Sequence, residues 1–317
     1  MSSSIKAYVH TIKFEADGIL SYELRKLDGG ALPGFSAGSH IEIYLKEGLS
    51  RCYSLLNDPS RSDSYIIAVA KDTNGRGGSR FIHENIHCGQ TLEVSHPRNN
   101  FALCEAAENS ILIAGGIGIT PLWSMAQRLS TLGKTWDLHY IARSAEKAAL
   151  AEEIRQRELP GNVNFIFTEN SDESRDYLTG LLKEDDGKSH LYCCGPSGMI
   201  DSFINGTQHI SPERVHFEFF SARNEVSLEG GFLIELAKSG KTLQIEKGKT
   251  ILDVLIDNGV EIINSCREGI CGACEVPLLQ GQADHRDSIL SEEEKEANKS
   301  IFVCCSGCKG EKLVLDI

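Results

Sequence analysis

The chain has 317 residues, 41% hydrophobic and 24% charged, with a formal net charge of −13. This is the composition of a soluble globular protein of about two domains, with three small ones allowed, and it excludes global disorder. The acid excess argues against nucleic acid and anionic membranes as partners and suits docking onto a basic protein. The longest nearly apolar run, residues 111–123, falls short of the ~20 residues that cross a bilayer. Residues 1–10 carry no export pattern, so a cytoplasmic, reducing setting is expected for the eleven cysteines.

In chain order, residues 39–45, 64–70 and 91–95 are rich in β-branched and aromatic residues and bounded by Gly, Pro, Asn and Asp. They predict short strands of an antiparallel β-barrel over residues 1–105, with one helix starting near Ser79. Residues 106–224 then alternate. Strand 110–114, helix 121–132, strand 137–142, helix 145–157 and strands 162–168, 190–194 and 214–219 predict a doubly wound parallel α/β sheet. Residues 225–317 begin with a hairpin, 232–237 against 242–246. Helix 250–258, with Leu252, Leu255 and Ile256 on one face, comes next. A cysteine-rich loop, a capping box at Ser291 and Glu294, and a terminal strand 313–315 complete it.

Six of the eleven cysteines crowd the last 52 residues. Cys266, Cys271 and Cys274 stand as C-x4-C-x2-C, which with one distant cysteine is the plant-type 2Fe-2S spacing. Gly269, Gly272 and Ala273 let loop amides approach the sulfurs. Cys304, after Phe302 and Val303, is the candidate fourth ligand, and its neighbour Cys305 is the alternative. A zinc ribbon on Cys271/Cys274 and Cys305/Cys308 is the rival reading, but it strands Cys266 and Cys304. The region resembles plant-type ferredoxins over nearly its whole length, which implies Cys304 as the ligand.

Between residues 114 and 121 a glycine turn with Gly116, Gly118, Ile119 and Thr120 follows a buried strand and opens a helix. That is where a pyrophosphate meets backbone amides and a positive helix end. A second turn, Cys193-Cys194-Gly195-Pro196-Ser197-Gly198-Met199, ends a later strand, and ligands of such sheets bind beyond the carboxyl ends of the strands. The pair resembles the pyridine-nucleotide half of the ferredoxin–NADP reductase superfamily. The resemblance implies that Gly195 and Met199 also meet the nucleotide and that the Cys194 thiol lies beside the nicotinamide, Cys193 being a buried hydrophobe.

Arg51-Cys52-Tyr53-Ser54 matches the R-x-Y-S flavin motif of that superfamily. Arg51 meets phosphate, Tyr53 offers a ring face, and Ser54 hydrogen-bonds near N5. The resemblance extends the flavin contacts to Cys52, Ala68, Val69 and Ala70. Arg76, Gly77, Gly78 and Ser79 at a helix start form a site for a terminal phosphate dianion, which FMN has and FAD lacks. This string resembles the phthalate dioxygenase reductase and vanillate demethylase reductase family. In the segment His216-Phe217-Glu218-Phe219-Phe220 the resemblance puts Phe220 over the other flavin face.

The family resemblance covers three domains in the order flavin (1–105), nucleotide (106–224) and ferredoxin (225–317), the last a β-grasp. It implies an NADH-dependent relay through FMN and a 2Fe-2S cluster to a Rieske non-haem iron oxygenase, in a monomer, with Ser54, Cys194 and Phe220 at the reacting flavin. A free-flavin reductase with a sensory iron–sulfur domain is the alternative. The adenosine ribose is expected at the loop after the second nucleotide-domain strand, against Arg143 and Ser144. Lys147 lies close by, but so do Glu146, Glu152, Glu153 and Glu169, and these carboxylates lead to an expectation of NADH over NADPH.

Overall fold

The structure, a computed structural model, describes residues 4–46, 49–61, 63–73 and 75–317. Residues 1–3 of the amino-terminal stretch read above lie outside the described residues. The chain divides into two compact units, one ending at Phe219 and the other running from Phe220 to Ile317.

The first unit opens with strands β1 (Ile5–Ala16), β2 (Ile19–Lys26), β3 (His40–Lys46), β4 (Leu49–Ser54), β5 (Tyr65–Ala70) and β6 (Thr91–Val94), with helix α1 (Gly78–Asn85) between β5 and β6. Their order is β4-β3-β6-β1-β2-β5, every pairing antiparallel, the expected barrel. Alternation drives it. Val9, Leu24, Ile41, Val69 and Val94 point inward and are fully buried, and the one charged residue buried among them, Glu42, is paired with Arg98 at 3.5 Å. β1, β2 and β4 escape the sequence pattern because charged residues interleave with their apolar ones.

Strands β7 (Asn109–Gly115), β8 (Thr135–Ala142), β9 (Asn162–Phe167), β10 (His190–Gly195) and β11 (Val215–Phe219) form a parallel sheet in the order β11-β10-β7-β8-β9. Its helices are α2 (Ile119–Thr131), α3 (Ala151–Gln156), α4 (Ser171–Leu182) and α5 (Ser197–Gly206). α4 and α5 were not anticipated; α4 is announced only by its cap, the Asn170 side chain accepting from the amides of Asp172 and Glu173. The expected helix 145–157 is a correction. A 3-10 turn, Ala145–Lys147, is followed by a break before α3, with Leu150 in the left-handed region at φ 61°. Burial of Ala148, Ala149 and Leu150 in the core outweighs the helix propensity of that run.

Barrel and sheet share one core. Ala16, Ile19, Leu56 and Phe101 from the barrel side join Leu112, Ile119, Trp123 and Tyr192 from the sheet side. Two α2 side chains stitch it: Ser124 Oγ donates to the Asn57 carbonyl at 2.9 Å and Gln127 Nε2 to the Leu56 carbonyl at 2.8 Å.

The second unit contains β12 (Phe232–Leu236), β13 (Lys241–Ile245), α6 (Ile251–Asp257), β14 (Glu275–Gln280), β15 (Ala283–Asp284), α7 (Glu292–Ala297), β16 (Ser300–Phe302), β17 (Gly307–Cys308) and β18 (Lys312–Leu315). Its five-stranded sheet runs β13-β12-β18-β14-β16 with β12 and β18 parallel, a β-grasp around α6. α6 buries Ile251, Leu252, Val254 and Leu255, but Ile256 is 39% exposed, so it is not on the buried face as expected. At ~100° per residue it sits a quarter turn beyond Leu255. Among the described residues no helix is long and apolar enough to cross a membrane.

Both short helices of this unit carry complete capping boxes, Thr250 with Asp253 and Ser291 with Glu294. Thr250→Ala should cost about 0.5–2 kcal/mol. The urea midpoint of the intact chain, followed by circular dichroism, should fall accordingly; an unchanged midpoint would show that the box adds nothing.

Candidate functional site

Two sequence motifs meet at one corner of the barrel. Arg51, Cys52, Tyr53 and Ser54 end β4, and Ser54 is buried while the other three are half-buried. Gly77 is the N-cap of α1 at φ 86°, and no side chain caps the helix. The first turn of α1 contains no acidic residue, so its amides are left to an anion. A Cβ on Gly78 would stand 2.5 Å from Arg51 Nε. Glycine there lets the guanidinium lie against the helix start. Ser79 Oγ accepts from the Asp72 amide at 3.0 Å, which leaves its proton to give outward, and Arg76 is exposed. A fork of cationic donors beside an uncapped helix start fits a terminal phosphate dianion. Burial pushes the Tyr53 hydroxyl well above its usual range, so it stays neutral. On β5, Val69 faces the barrel core, Ala68 packs into the shared core, and Ala70 lines the cleft described next.

The two glycine turns of the parallel sheet face one another. A Cβ on Gly115 would approach Pro196 Cδ to 2.7 Å and Met199 Sδ to 2.8 Å, and one on Gly195 would approach Gly115 Cα to 2.9 Å. A Cβ on Gly118 would overlap the Cys194 carbonyl. Gly118 has an ordinary helical φ of −62°, so space alone demands glycine there, whereas Gly116 needs it for a φ of +54°. Ile119 and Thr120 are buried in the first turn of α2, Thr120 Oγ1 donating to the Ile117 carbonyl at 3.0 Å. Between the turns lies a cleft of ≈ 640 Å³ whose walls include Gly115, Gly116, Arg143, Pro196, Met199 and, from the barrel, Ala70. Ser144 follows Arg143 at the carboxyl end of β8 and is half-buried.

The Cys194 and Cys193 side chains are both fully buried, and burial raises both thiols. The strand register pairs Cys194 with Glu218 on β11. Sequence reasoning passed over Glu218, whose signal is a carboxylate between two aromatics, Phe217 and Phe219, at the end of a strand. Its Oε2 is buried with no hydrogen-bond partner among the described residues, and burial pushes the carboxyl up to about 8. Near neutral pH it therefore holds its proton against the Cys194 strand. Phe220, the first residue of the second unit, is 38% exposed.

In the second unit β14 and β16 pair Glu275 with Phe302, which brings Cys274 and Cys304 to the same end of the sheet. The Val303 amide donates to the Cys274 carbonyl at 3.3 Å. The Cys266 thiol hydrogen-bonds those of Cys271 and Cys304, which holds it protonated well above its usual range. Loop amides already point at sulfur: Cys266 N to Cys271 Sγ at 3.4 Å, Glu268 N to Cys266 Sγ at 3.3 Å and Ile270 N to Cys266 Sγ at 3.5 Å. That donor set fits a 2Fe-2S cluster, whose sulfurs are tuned by such bonds. Among the described residues no three His, Cys, Asp or Glu side chains converge on one ion; a binuclear cluster spreads its thiolates over two irons. Cys305 Sγ lies against the Phe302 carbonyl and Ser306 Oγ, and Cys308 Sγ accepts from Gly310 N.

Glu218 carries a testable pH dependence. Below the ordinary carboxyl pKa of about 4.3 it is protonated folded or unfolded. From there up to about 8 only the unfolded chain releases the proton, so the group destabilises the fold increasingly as pH rises. Glu218→Gln should raise the thermal midpoint more at pH 8 than at pH 5; equal gains at both pH values would contradict the assigned protonation.

Residues 112–204 match the oxidoreductase NAD-binding domain and residues 234–309 the 2Fe-2S iron-sulfur cluster binding domain. The chain is 43% identical over 309 residues to phenoxybenzoate dioxygenase subunit beta of Ectopseudomonas oleovorans, covering 98% of this chain and 96% of that one. The structure of phthalate dioxygenase reductase superposes with a TM-score of 0.75 at 36% identity, covering 99% of this chain and 98% of that one. An intact type IV self-sufficient cytochrome P450 monooxygenase superposes at 0.87 with 36% identity over 99% of this chain, which spans only 41% of that longer protein. With relatives matched at 36–43% identity over nearly the whole of both chains, the chain belongs to the phthalate dioxygenase reductase family of NADH-dependent, iron–sulfur electron-transfer oxidoreductases.

Proposed function

We propose that this protein is the reductase component of a two-component Rieske-type oxygenase system, taking electrons from NADH through FMN to a 2Fe-2S cluster and on to the oxygenase. The observation that carries this reading is the composition of the cleft. The end of β5 and both glycine turns wall one cavity, so a flavin on the barrel and a nicotinamide on the sheet share it. In this reading residues 1–105, 106–224 and 225–317 serve as flavin, nucleotide and ferredoxin regions of a cytoplasmic monomer. The net charge of −13 favours a basic docking face on the oxygenase.

Bound FMN supplies the conversion of a two-electron hydride donor into single electrons, which the cluster carries one at a time. The chain's part is positioning. Arg51, Arg76, Ser79 and the amides after Gly77 hold the terminal phosphate. Cys52, Ala68 and Ala70 shape the flavin wall, Val69 backs it from the barrel core, Tyr53 lends a ring face, and Ser54 a hydroxyl donor beside N5. Gly116, Gly118, Ile119, Thr120 and Gly195 cradle the pyrophosphate, and Met199 closes the side of the cleft. Cys194 keeps water from the nicotinamide side. Cys266, Cys271, Cys274 and Cys304 hold the cluster. Cys304 is preferred over Cys305 because the likeness to plant-type ferredoxins aligns it with their fourth ligand.

Cys266→Ser, Cys271→Ser, Cys274→Ser and Cys304→Ser should each lose the visible cluster spectrum and nearly all NADH-driven cytochrome c reduction. Flavin bleaching by NADH should persist, and Cys305→Ser should leave the spectrum intact. Flavin extracted from all of them should be FMN. Cytochrome c reduction at the wild-type rate without the cluster would favour a free-flavin reductase, and bleaching by Cys305→Ser alone would move the fourth ligand.

A further inference from the structure

Ser288 sits where two segments of the second unit meet. Its amide donates to the Gly269 carbonyl at 2.9 Å, and its Oγ accepts from the Arg223 amide at 3.3 Å. Gly269 belongs to the loop that carries Cys266 and Cys271. Arg223 belongs to residues 220–231, the connector between β11 and β12. One residue thus holds the cysteine loop with its backbone and the connector with its side chain.

The surroundings of Ser288 fix it in that place. The Asp287 side chain is fully buried, and its Oδ2 accepts from the amides of Ile289 at 3.2 Å and Leu290 at 2.8 Å. An aspartate bonded in this way to the backbone ahead of it locks the turn in which Ser288 lies. Gly269 has a φ of +70°, and a Cβ there would stand 2.9 Å from Asp287 Cα and 2.5 Å from Cys305 Sγ. Glycine therefore lets the cysteine loop lie directly against the backbone of residues 287–288. Two further bonds seat the connector on the same region. Asn224 Nδ2 donates to the Arg286 carbonyl at 3.3 Å, and the Ser227 amide to the Cys305 carbonyl at 2.8 Å. A Cβ on Gly307 would overlap Ser227 Oγ, so the connector is closely packed there too.

We infer that Ser288 is a positioning residue of the electron relay: it clasps the connector to the cysteine loop, so that the two move as one piece. This inference rests on the reductase reading. The connector is the covalent link that leads from β11 into the second unit. Slack at Arg223 is therefore slack between the cysteine loop and the point where the chain leaves β11. Positioned reactants lose rate when their geometry loosens. The glycine turns and the end of β5 that wall the cleft lie outside the clasp, so the hydride step should not respond to it.

The test uses the intact, flavin- and cluster-loaded protein and compares Ser288→Ala with Ser288→Thr, which keeps the hydroxyl. By hydrogen exchange and mass spectrometry, the connector should exchange about fivefold faster in Ser288→Ala, the worth of one neutral hydrogen bond, while the hairpin of β12 and β13 stays unchanged. In anaerobic stopped flow NADH should bleach the flavin at the wild-type rate. The reduced-cluster signal, followed by freeze-quench EPR, should then rise roughly twofold or more slowly. Ser288→Thr should restore both the exchange and the electron step. Wild-type exchange in the connector, or wild-type cluster reduction in Ser288→Ala with flavin and iron retained, overturns the clasp. Faster exchange in the hairpin as well, or no rescue by threonine, makes Ser288 a packing residue and overturns it too. Absence of any flavin bleaching by NADH in the wild-type protein would instead overturn the reductase reading on which the clasp depends.

Discussion

The fold around the site depends on how closely two backbone turns approach. Gly115, Gly118 and Gly195 let the end of β7 and the start of α2 lie against the end of β10, with the Cys194 carbonyl where any side chain on Gly118 would be. That contact sets the edge of the cleft and leaves Cys194 buried. The barrel is then locked to the sheet through a shared apolar core. The cleft wall from β5 is consequently fixed relative to the glycine turns, as positioning two reactants requires.

The second constraint is electrostatic. Despite a net charge of −13, the chain sets Arg51 and Arg76 at the start of α1 and Arg143 and Lys147 after the end of β8. α1 starts without an acidic residue or a side-chain cap, and a capped start would have consumed the amides an anion needs. By contrast α4, whose start lines the same cleft, is capped by Asn170 and carries Asp172 and Glu173 in its first turn. The two helix starts are thus chemically opposite, and only the first is suited to phosphate.

Much of this was legible in the sequence because the informative residues are local. C-x4-C-x2-C, R-x-Y-S and the two glycine turns each place their chemistry within about ten residues, and the capping box at Ser291 is read directly from spacing, whereas the one at Thr250, closed by Asp253, was not. What escaped was set by tertiary contacts. The break at Leu150 follows from burial of three small and apolar residues in the shared core. Ile256 was put on the wrong side of α6 because no spacing rule says where the apolar stripe ends. Glu218 was missed since its strand partner, Cys194, lies 24 positions earlier. Of the four carboxylates near Arg143 in sequence, only Glu169 lines the cleft, which no spacing rule could tell.

The central claim is that the close approach of the two glycine turns builds the hydride-donor cleft. The most direct measurement is anaerobic stopped-flow reduction of the flavin by NADH in Gly118→Ala, with FMN and iron content determined on the same sample. A methyl group there displaces the turn by about an ångström, which for positioned reactants costs on the order of 100-fold in rate. The account predicts that loss with FMN and cluster retained; reduction at the wild-type rate would contradict it.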